Sequence, residues 1–135
     1  MKKFTFSLEK VLSYKTQIEE SLRNEHAVTI RNVRNKEEEI EILGNMRNEY
    51  MNDYDRQKEG VCSPQSLQMY NVYFAGIEDR ISQENFRLTA LREEERICRE
   101  KVLEAKKERA SLEMLKEKKT EEYRKALQKE EELLI

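Results

Sequence analysis

Residues that could carry out catalysis or bind a metal ion are scarce in this sequence. It contains one histidine, His26, and two cysteines, Cys62 and Cys98, which form no CxxC pair. These three residues do not make a set of metal ligands. Neither cysteine has a nearby base in the sequence, so we expect neither a catalytic thiol nor a disulfide. Cys98 falls on an apolar stripe and Cys62 in a turn.

The elements that would have to position an active site are also unsuited to one. There is no Gly-rich phosphate-binding loop, and His26 falls on a predicted helix seam, where a packed histidine is favoured over a general base. A thin pair of helices offers no concave pocket in which to desolvate a reacting group. The sequence therefore predicts a protein that is not an enzyme and needs no cofactor or metal.

The composition is that of a long helix or coiled coil. Charged residues make up 40% of the 135 residues and aromatic residues 7%, with only 3 Gly and 1 Pro, and just over half are Ala, Glu, Lys, Leu or Arg. The net charge is −2, and acids and bases are interleaved, so no basic nucleic-acid face is present. No apolar run long enough for a transmembrane helix or a signal-peptide core occurs. We expect a cytoplasmic protein.

Two helices joined by one turn account for the whole chain, as a single hairpin domain over residues 1–135. We predict helix 1 over about residues 7–59, with Ser7 as N-cap and Phe6 and Val11 in the positions of a hydrophobic staple. The turn occupies residues 60–63, where Gly60 suits a left-handed helix end. Ser63 is a good N-cap and Pro64 a good first residue for helix 2, over about residues 64–132.

A seven-residue repeat marks one seam on each helix. The helix 2 positions that carry apolar residues are Leu67, Tyr70, Phe74, Ile77, Ile81, Leu88, Leu91, Cys98, Val102, Ala105, Leu112, Tyr123, Ala126 and Leu133. The charged residues in the same frame are Glu84, Glu95, Arg109, Lys116, Lys119 and Glu130. Helix 1 has a noisier frame that includes Leu8, Leu12, Lys15, Glu19, Leu22, Val33, Lys36, Ile40, Leu43, Tyr50 and Tyr54. Such a repeat predicts supercoiling against a partner helix.

One turn position brings the apolar residues of the two frames opposite each other. The facing pairs include Leu12 with Leu112, Leu43 with Ile81, Tyr50 with Phe74, and Tyr54 with Tyr70. We therefore predict an all-α fold, a long two-helix antiparallel coiled-coil hairpin, in preference to a parallel dimer. A homodimeric tether remains an alternative.

Three features allow either a structural or a functional explanation. Leu8 faces Lys116, so the part of helix 2 beyond Lys119 has little to pair with, although apolar residues continue to Ile135. Either the chain ends pack on each other or they bind a partner.

Five aromatic residues crowd near the turn, with Tyr73 outside the frame and expected to be exposed. They are either bulky packing at the tip or a protein-binding hot spot, where tyrosine is enriched. Gly44 and Gly76 lie nearly opposite each other across the predicted hairpin, where they allow either a close helix approach or a flexible point.

Several short motifs resemble one known family. Phe4-Thr5-Phe6-Ser7-Leu8-Glu9-Lys10-Val11-Leu12 is similar to the opening of the FliJ family, small coiled-coil proteins of the bacterial flagellar type III export apparatus. Asn48-Glu49-Tyr50, Gly60 at the turn, Tyr70, Tyr73-Phe74 and Ile77-Glu78-Asp79-Arg80-Ile81 continue the resemblance. It covers essentially the whole chain.

The resemblance implies a stalk similar to the central shaft of rotary ATPases. The helix ends would enter the ring of the flagellar ATPase and promote its hydrolysis, and the turn-proximal region would contact the cytoplasmic domain of the export-gate membrane protein. Export chaperones are a further implied partner. The protein would act in flagellum biogenesis, motility and chemotaxis, in the cytoplasm and peripherally at the membrane face of the flagellar base.

Site residues also follow from the resemblance. The implied gate-binding residues are Leu43, Tyr50, Tyr73, Phe74 and Ile77. The implied ring-binding residues are Phe4, Phe6, Leu8, Val11, Tyr123 and Leu127. Arg80 and Glu84 depart from the small residue and histidine that the family can carry, which weakens the implied surface at its far edge.

Two further function classes stay open at this point. One is the stalk of a different rotary ATPase or of a virulence secretion system. The other is a coiled-coil escort or chaperone for exported subunits, which would bind those subunits without affecting any ATPase.

Overall fold

A computed structural model describes residues 3–60 and 63–135 of the chain. Helix α1 spans Glu9–Glu59 and helix α2 spans Pro64–Leu134, and the described residues contain no strand. The predicted all-α fold of two long helices packed against each other is confirmed. Among the described residues, no helix is long and apolar enough to cross a membrane.

The chain divides into two compact units. The turn unit is Val28–Arg96, and the terminal unit combines Met1–Ala27 with Ile97–Ile135. In each unit a segment of α1 packs antiparallel against a segment of α2. The sequence-based assignment of a single domain over residues 1–135 stays a prediction.

The start of α1 differs from the expected one. The Leu8 carbonyl accepts the first helical hydrogen bond, from the Leu12 amide at 2.9 Å, and the Glu9 amide bonds the Phe6 carbonyl at 3.1 Å. The helix therefore begins at Glu9, with Leu8 rather than Ser7 at the capping position. With Leu8 at the cap, the preceding residue is the polar Ser7, and Val11 is 42% exposed, so the predicted staple of Phe6 with Val11 is wrong.

Of the two predictions for the helix ends near the turn, one is confirmed and the other is wrong. The Ser63 hydroxyl accepts a hydrogen bond from the Ser66 amide at 3.2 Å, so the predicted N-cap of α2 is confirmed. Gly60 does not adopt a positive φ, so the predicted left-handed helix end is wrong. Its amide instead bonds the Gln57 carbonyl at 3.3 Å, which tightens the last turn of α1. Val61 and Cys62 lie outside the described residues.

The predicted seam matches the burial of α2 from Leu67 to Lys116, where every position of the frame is buried or half-buried. Among the described residues of the turn unit, the buried apolar ones are Leu43, Ile77 and Leu88. Lys119 is exposed, and beyond it only Tyr123 and Leu127 are half-buried. α2 ends at Leu134, two residues later than expected, and Leu133 is 87% exposed.

Candidate functional site

Five aromatic residues of the turn unit form one aromatic cluster, contributed by both helices. Its members are Tyr50 and Tyr54 from α1, and Tyr70, Tyr73 and Phe74 from α2. Tyr54 makes edge contacts with Tyr70 and Phe74, with ring centroids 5.8 Å and 5.9 Å apart. Tyr50 contacts Tyr70 in the same way at 5.9 Å. Because these spacings are typical of favourable aromatic pairs, the cluster holds the two helices together near the turn.

Tyr73 is not exposed, in contrast to the expectation from its place outside the frame. It is half-buried and stacks on Tyr50, with ring centroids 3.6 Å apart and planes 18° from parallel. Tyr50 itself is 36% exposed, although the frame placed it on the seam. Burial first, then the Tyr50 hydroxyl and the Glu49 carboxylate, raise the pKa of the Tyr73 hydroxyl. The stacked pair thus stands at the edge of the seam, half in contact with solvent.

Two open grooves lie beside the stacked tyrosines. The first, of about 490 Å³, is lined by Tyr50, Asp53, Gln57, Ser66, Met69, Tyr70 and Tyr73. The second, of about 590 Å³, is lined by Gln65, Gln68, Met69, Val72 and Tyr73. Met69 and Tyr73 border both, and Met69 is 73% exposed. An accessible apolar surface with aromatic anchors is the composition of a protein-binding hot spot.

The implied gate-binding residues do not all reach the surface of the turn unit. Tyr50, Tyr73 and Phe74 belong to the aromatic cluster. Leu43 and Ile77 are buried in the seam, with 5% and 7% of their surfaces exposed. A partner that docks on the outside could therefore reach Tyr50 and Tyr73 but not Leu43 or Ile77.

A charged layer interrupts the apolar seam of the turn unit, at frame positions on both helices. Lys36 of α1 donates to Glu84 of α2 at 2.7 Å and to Glu39 at 2.8 Å. Arg87 also pairs with Glu84, at 2.6 Å. Glu84 is only 3% exposed, and its hydrogen bond from Lys36 lowers the pKa of its carboxyl despite the burial that opposes this. The bonds to Glu39 and Glu84 raise the pKa of Lys36.

The terminal unit has a corresponding layer with the charges exchanged between helices. Glu19 of α1 is buried and accepts hydrogen bonds from Arg109 of α2 and, at 2.8 Å, from Arg23. Arg109 also pairs with Glu113 at 2.7 Å. The bond from Arg109 is the main reason why the pKa of Glu19 is lowered. The sequence indicated charged residues at these frame positions, but their pairing was missed; the opposite signs on the two helices were the available signal.

The N-terminal segment packs on α2 beyond Lys119, which agrees with one of the two explanations that the sequence allowed, that the chain ends pack on each other. Phe4, which precedes α1, packs on Tyr123 with ring centroids 5.3 Å apart, and Phe6 is buried. Lys116 pairs with Glu9 at 2.9 Å. The residues of α1 alone leave Tyr123 with little to pair with. An extended segment advances about twice as far per residue as a helix and so reaches further along α2.

The implied ring-binding residues of the terminal unit vary in accessibility. Phe6 is buried, whereas Phe4, Leu8, Tyr123 and Leu127 are half-buried and Val11 is exposed. Beyond them, Leu134 and Ile135 are almost fully exposed, at 82% and 107%. The partly covered aromatic pair and the bare apolar tail therefore make a second candidate contact surface.

The two helical glycines of the turn unit do not serve a close helix approach. A Cβ atom built on Gly44 or on Gly76 would meet nothing within 4 Å. Of the two explanations that the sequence allowed, close approach is therefore excluded. Within residues 3–60 and 63–135, no group of three or more His, Cys, Asp or Glu side chains could hold a metal ion.

Comparison with known proteins gives one match. Residues 4–135 match the family described as "Flagellar FliJ protein", which covers essentially the whole chain. No curated protein and no solved structure matches the chain.

Proposed function

The chain belongs to the FliJ family of flagellar-export-related proteins, and on that premise we propose that it is a non-catalytic stalk of the flagellar type III export apparatus. In this proposal the terminal unit binds the ring of the flagellar ATPase. The turn unit binds the cytoplasmic domain of the export-gate membrane protein. The protein is cytoplasmic and associates peripherally with the membrane at the flagellar base.

The observation that carries the proposal is the stacked Tyr50–Tyr73 pair beside two open grooves. Intramolecular packing alone does not need the exposed Met69 and Val72 on the groove edges. Tyrosine supplies a large, rigid contact area with little loss of conformational entropy, which suits a docking surface. For the ATPase ring, support comes from the Phe4–Tyr123 pair and the exposed tail of α2.

Binding of the purified gate cytoplasmic domain tests the gate half of the proposal. We expect Tyr73→Ala to weaken binding at least tenfold, since hot-spot truncations cost about 2 kcal/mol or more. Phe86→Ala is the matched control, because Phe86 is an exposed aromatic on the same helix (78%) outside the aromatic cluster. Unchanged affinity in Tyr73→Ala, with normal helicity, would remove the aromatic cluster from the gate contact.

A double change tests whether the stacked pair acts as one unit. The double variant Tyr50→Ala, Tyr73→Ala should lose little more affinity for the gate domain than either single variant, because each ring holds the other in place. Effects that simply add would mean that the two rings contact the gate independently.

A further inference from the structure

The turn unit's first groove combines aromatic faces with a carboxylate. Tyr50, Tyr70 and Tyr73 line it together with Asp53. Glu49 lies close enough to Tyr73 for its charge to affect the ring hydroxyl. An aromatic face attracts a cation through its quadrupole, and a neighbouring carboxylate adds direct charge attraction. The chemistry of the groove is therefore that of a cation acceptor.

The same cluster already accepts a cation from within the chain. The Lys58 ammonium lies 5.2 Å from the centre of the Tyr54 ring. Arg56 pairs with Asp53 at 2.6 Å, although the Arg56 side chain is 75% exposed. An exposed pair of this kind is worth little and exchanges readily with an incoming group. Asp53 can thus pair with a second guanidinium, which would also contact the tyrosine rings that line the groove.

We propose that this tyrosine–aspartate groove binds an arginine side chain of a partner protein segment, flanked by apolar residues that occupy the neighbouring groove. Arginine fits better than lysine, because its planar guanidinium stacks on an aromatic ring and pairs with a carboxylate at the same time. Met69 and Val72 offer apolar contact directly beside the arginine position. This inference rests on the proposed function only in taking the turn unit as a protein-binding surface.

Short peptides test the chemistry without any assumption about the partner. The probe is Ac-Leu-Arg-Leu-amide, titrated into the full chain with ¹³C-labelled tyrosine and followed by NMR. The comparison peptides replace arginine with citrulline, its uncharged analogue, or with glutamate. We expect saturable shifts of the Tyr50, Tyr70 and Tyr73 rings, with citrulline binding at least fivefold weaker and glutamate weaker still. Tyr14, an exposed tyrosine of the terminal unit (61%), is the internal control and should not shift.

Two substitutions of exposed side chains should act in opposite directions. Asp53→Asn removes the carboxylate and should weaken binding of the arginine peptide about threefold or more. Arg56→Ala removes the side chain that competes for Asp53 and should strengthen binding of the same peptide. Circular dichroism checks that both variants keep their helicity.

Equal binding of the arginine and citrulline peptides, shifts at Tyr14 as large as those in the groove, or no effect of Asp53→Asn would each overturn the inference. Failure of the peptide selectivity while the gate domain still binds would leave the proposed function standing. Selective peptide binding by a chain that fails to bind the gate domain would support the groove and contradict the gate contact.

Discussion

The turn unit and the terminal unit each contain a charged layer within the apolar seam, but the acid and the base are exchanged between the two helices. In the turn unit the buried acid, Glu84, is on α2 and its base, Lys36, is on α1. In the terminal unit the buried acid, Glu19, is on α1 and its base, Arg109, is on α2. Each helix therefore contributes the acid to one of these two charged layers and the base to the other. Two parallel copies of α1 in register would place Lys36 on Lys36 and Glu19 on Glu19, so the pattern disfavours a parallel homodimer.

The aromatic groups of the two units differ in how they are held. The aromatic cluster of the turn unit stands on two helices, and its rings contact one another across the seam. The Phe4–Tyr123 pair of the terminal unit depends on a segment that precedes α1. A segment outside a helix has fewer contacts to fix it and opens at lower free energy. We therefore expect the Phe4–Tyr123 contact to open more easily than the contacts of the aromatic cluster.

The largest expected effect comes from the apolar seam. Leu43→Ala should lower the free energy of unfolding of the turn unit by about 2–5 kcal/mol, because it removes a buried side chain and leaves a cavity. Ile42→Ala is the matched control: Ile42 is 60% exposed, and its loss should change the free energy by about 0.5 kcal/mol or less. Urea unfolding combined with hydrogen exchange measures both. Equal effects at the two positions would contradict the assigned helix face.

Charge reversal of one layer should have the next largest effect. Glu84→Lys places two ammonium groups face to face and should lower the melting temperature by several degrees. Adding Lys36→Glu should recover part of the loss, since the pair is then restored with its signs exchanged. Recovery stays partial because Glu39 and Arg87 remain as they were. A double variant as unstable as Glu84→Lys alone would mean that Lys36 and Glu84 do not interact.

Acid should weaken both charged layers. The pKa values of Glu19 and Glu84 are lowered from an ordinary value of 4.5. A lowered native pKa adds stability that is present above pH 4.5 and is lost as the pH falls through the native value. Glu84→Gln should therefore reduce the loss of stability at low pH in the turn unit, and Glu19→Gln should reduce it in the terminal unit. Thermal melts from pH 7 to pH 3, with hydrogen exchange to separate the units, test this; an unchanged acid limb in both variants would contradict it.

The smallest expected effect concerns the two glycines of the turn unit. Gly44→Ala and Gly76→Ala should each stabilise it by about 0.5–1 kcal/mol, because alanine favours the helix and its Cβ meets open space. The melting temperature should rise in each variant. A fall would contradict the open space around these two positions.

The sequence predicts the seam well because a seven-residue repeat is a local property of each helix. It also places Ser63 and Pro64 correctly at the start of α2, where capping depends on neighbouring residues alone. The failures at Gly60 and Ser7 are of another kind. A glycine permits a left-handed conformation without requiring it, and Leu8 rather than Ser7 takes the capping position at the start of α1.

The candidate surfaces are less predictable than the seam. The stacking of Tyr73 on Tyr50 depends on side-chain directions across two helices, which a heptad frame does not specify. The contact of Phe4 with Tyr123 joins a non-helical segment to a helix, so the seven-residue repeat does not predict it. The charged layers lie between these cases, since their positions are periodic but their partners depend on the exact register.

ATP hydrolysis by the purified flagellar ATPase tests the central claim most directly. It would be measured with the full chain, with a version ending at Lys118, and with a full-length Tyr123→Ala, Leu127→Ala variant of unchanged helicity. The stalk account predicts stimulation by the full chain and its loss in both altered forms. No stimulation by the full chain, with an ATPase shown to assemble, would contradict the account and favour an escort of exported subunits.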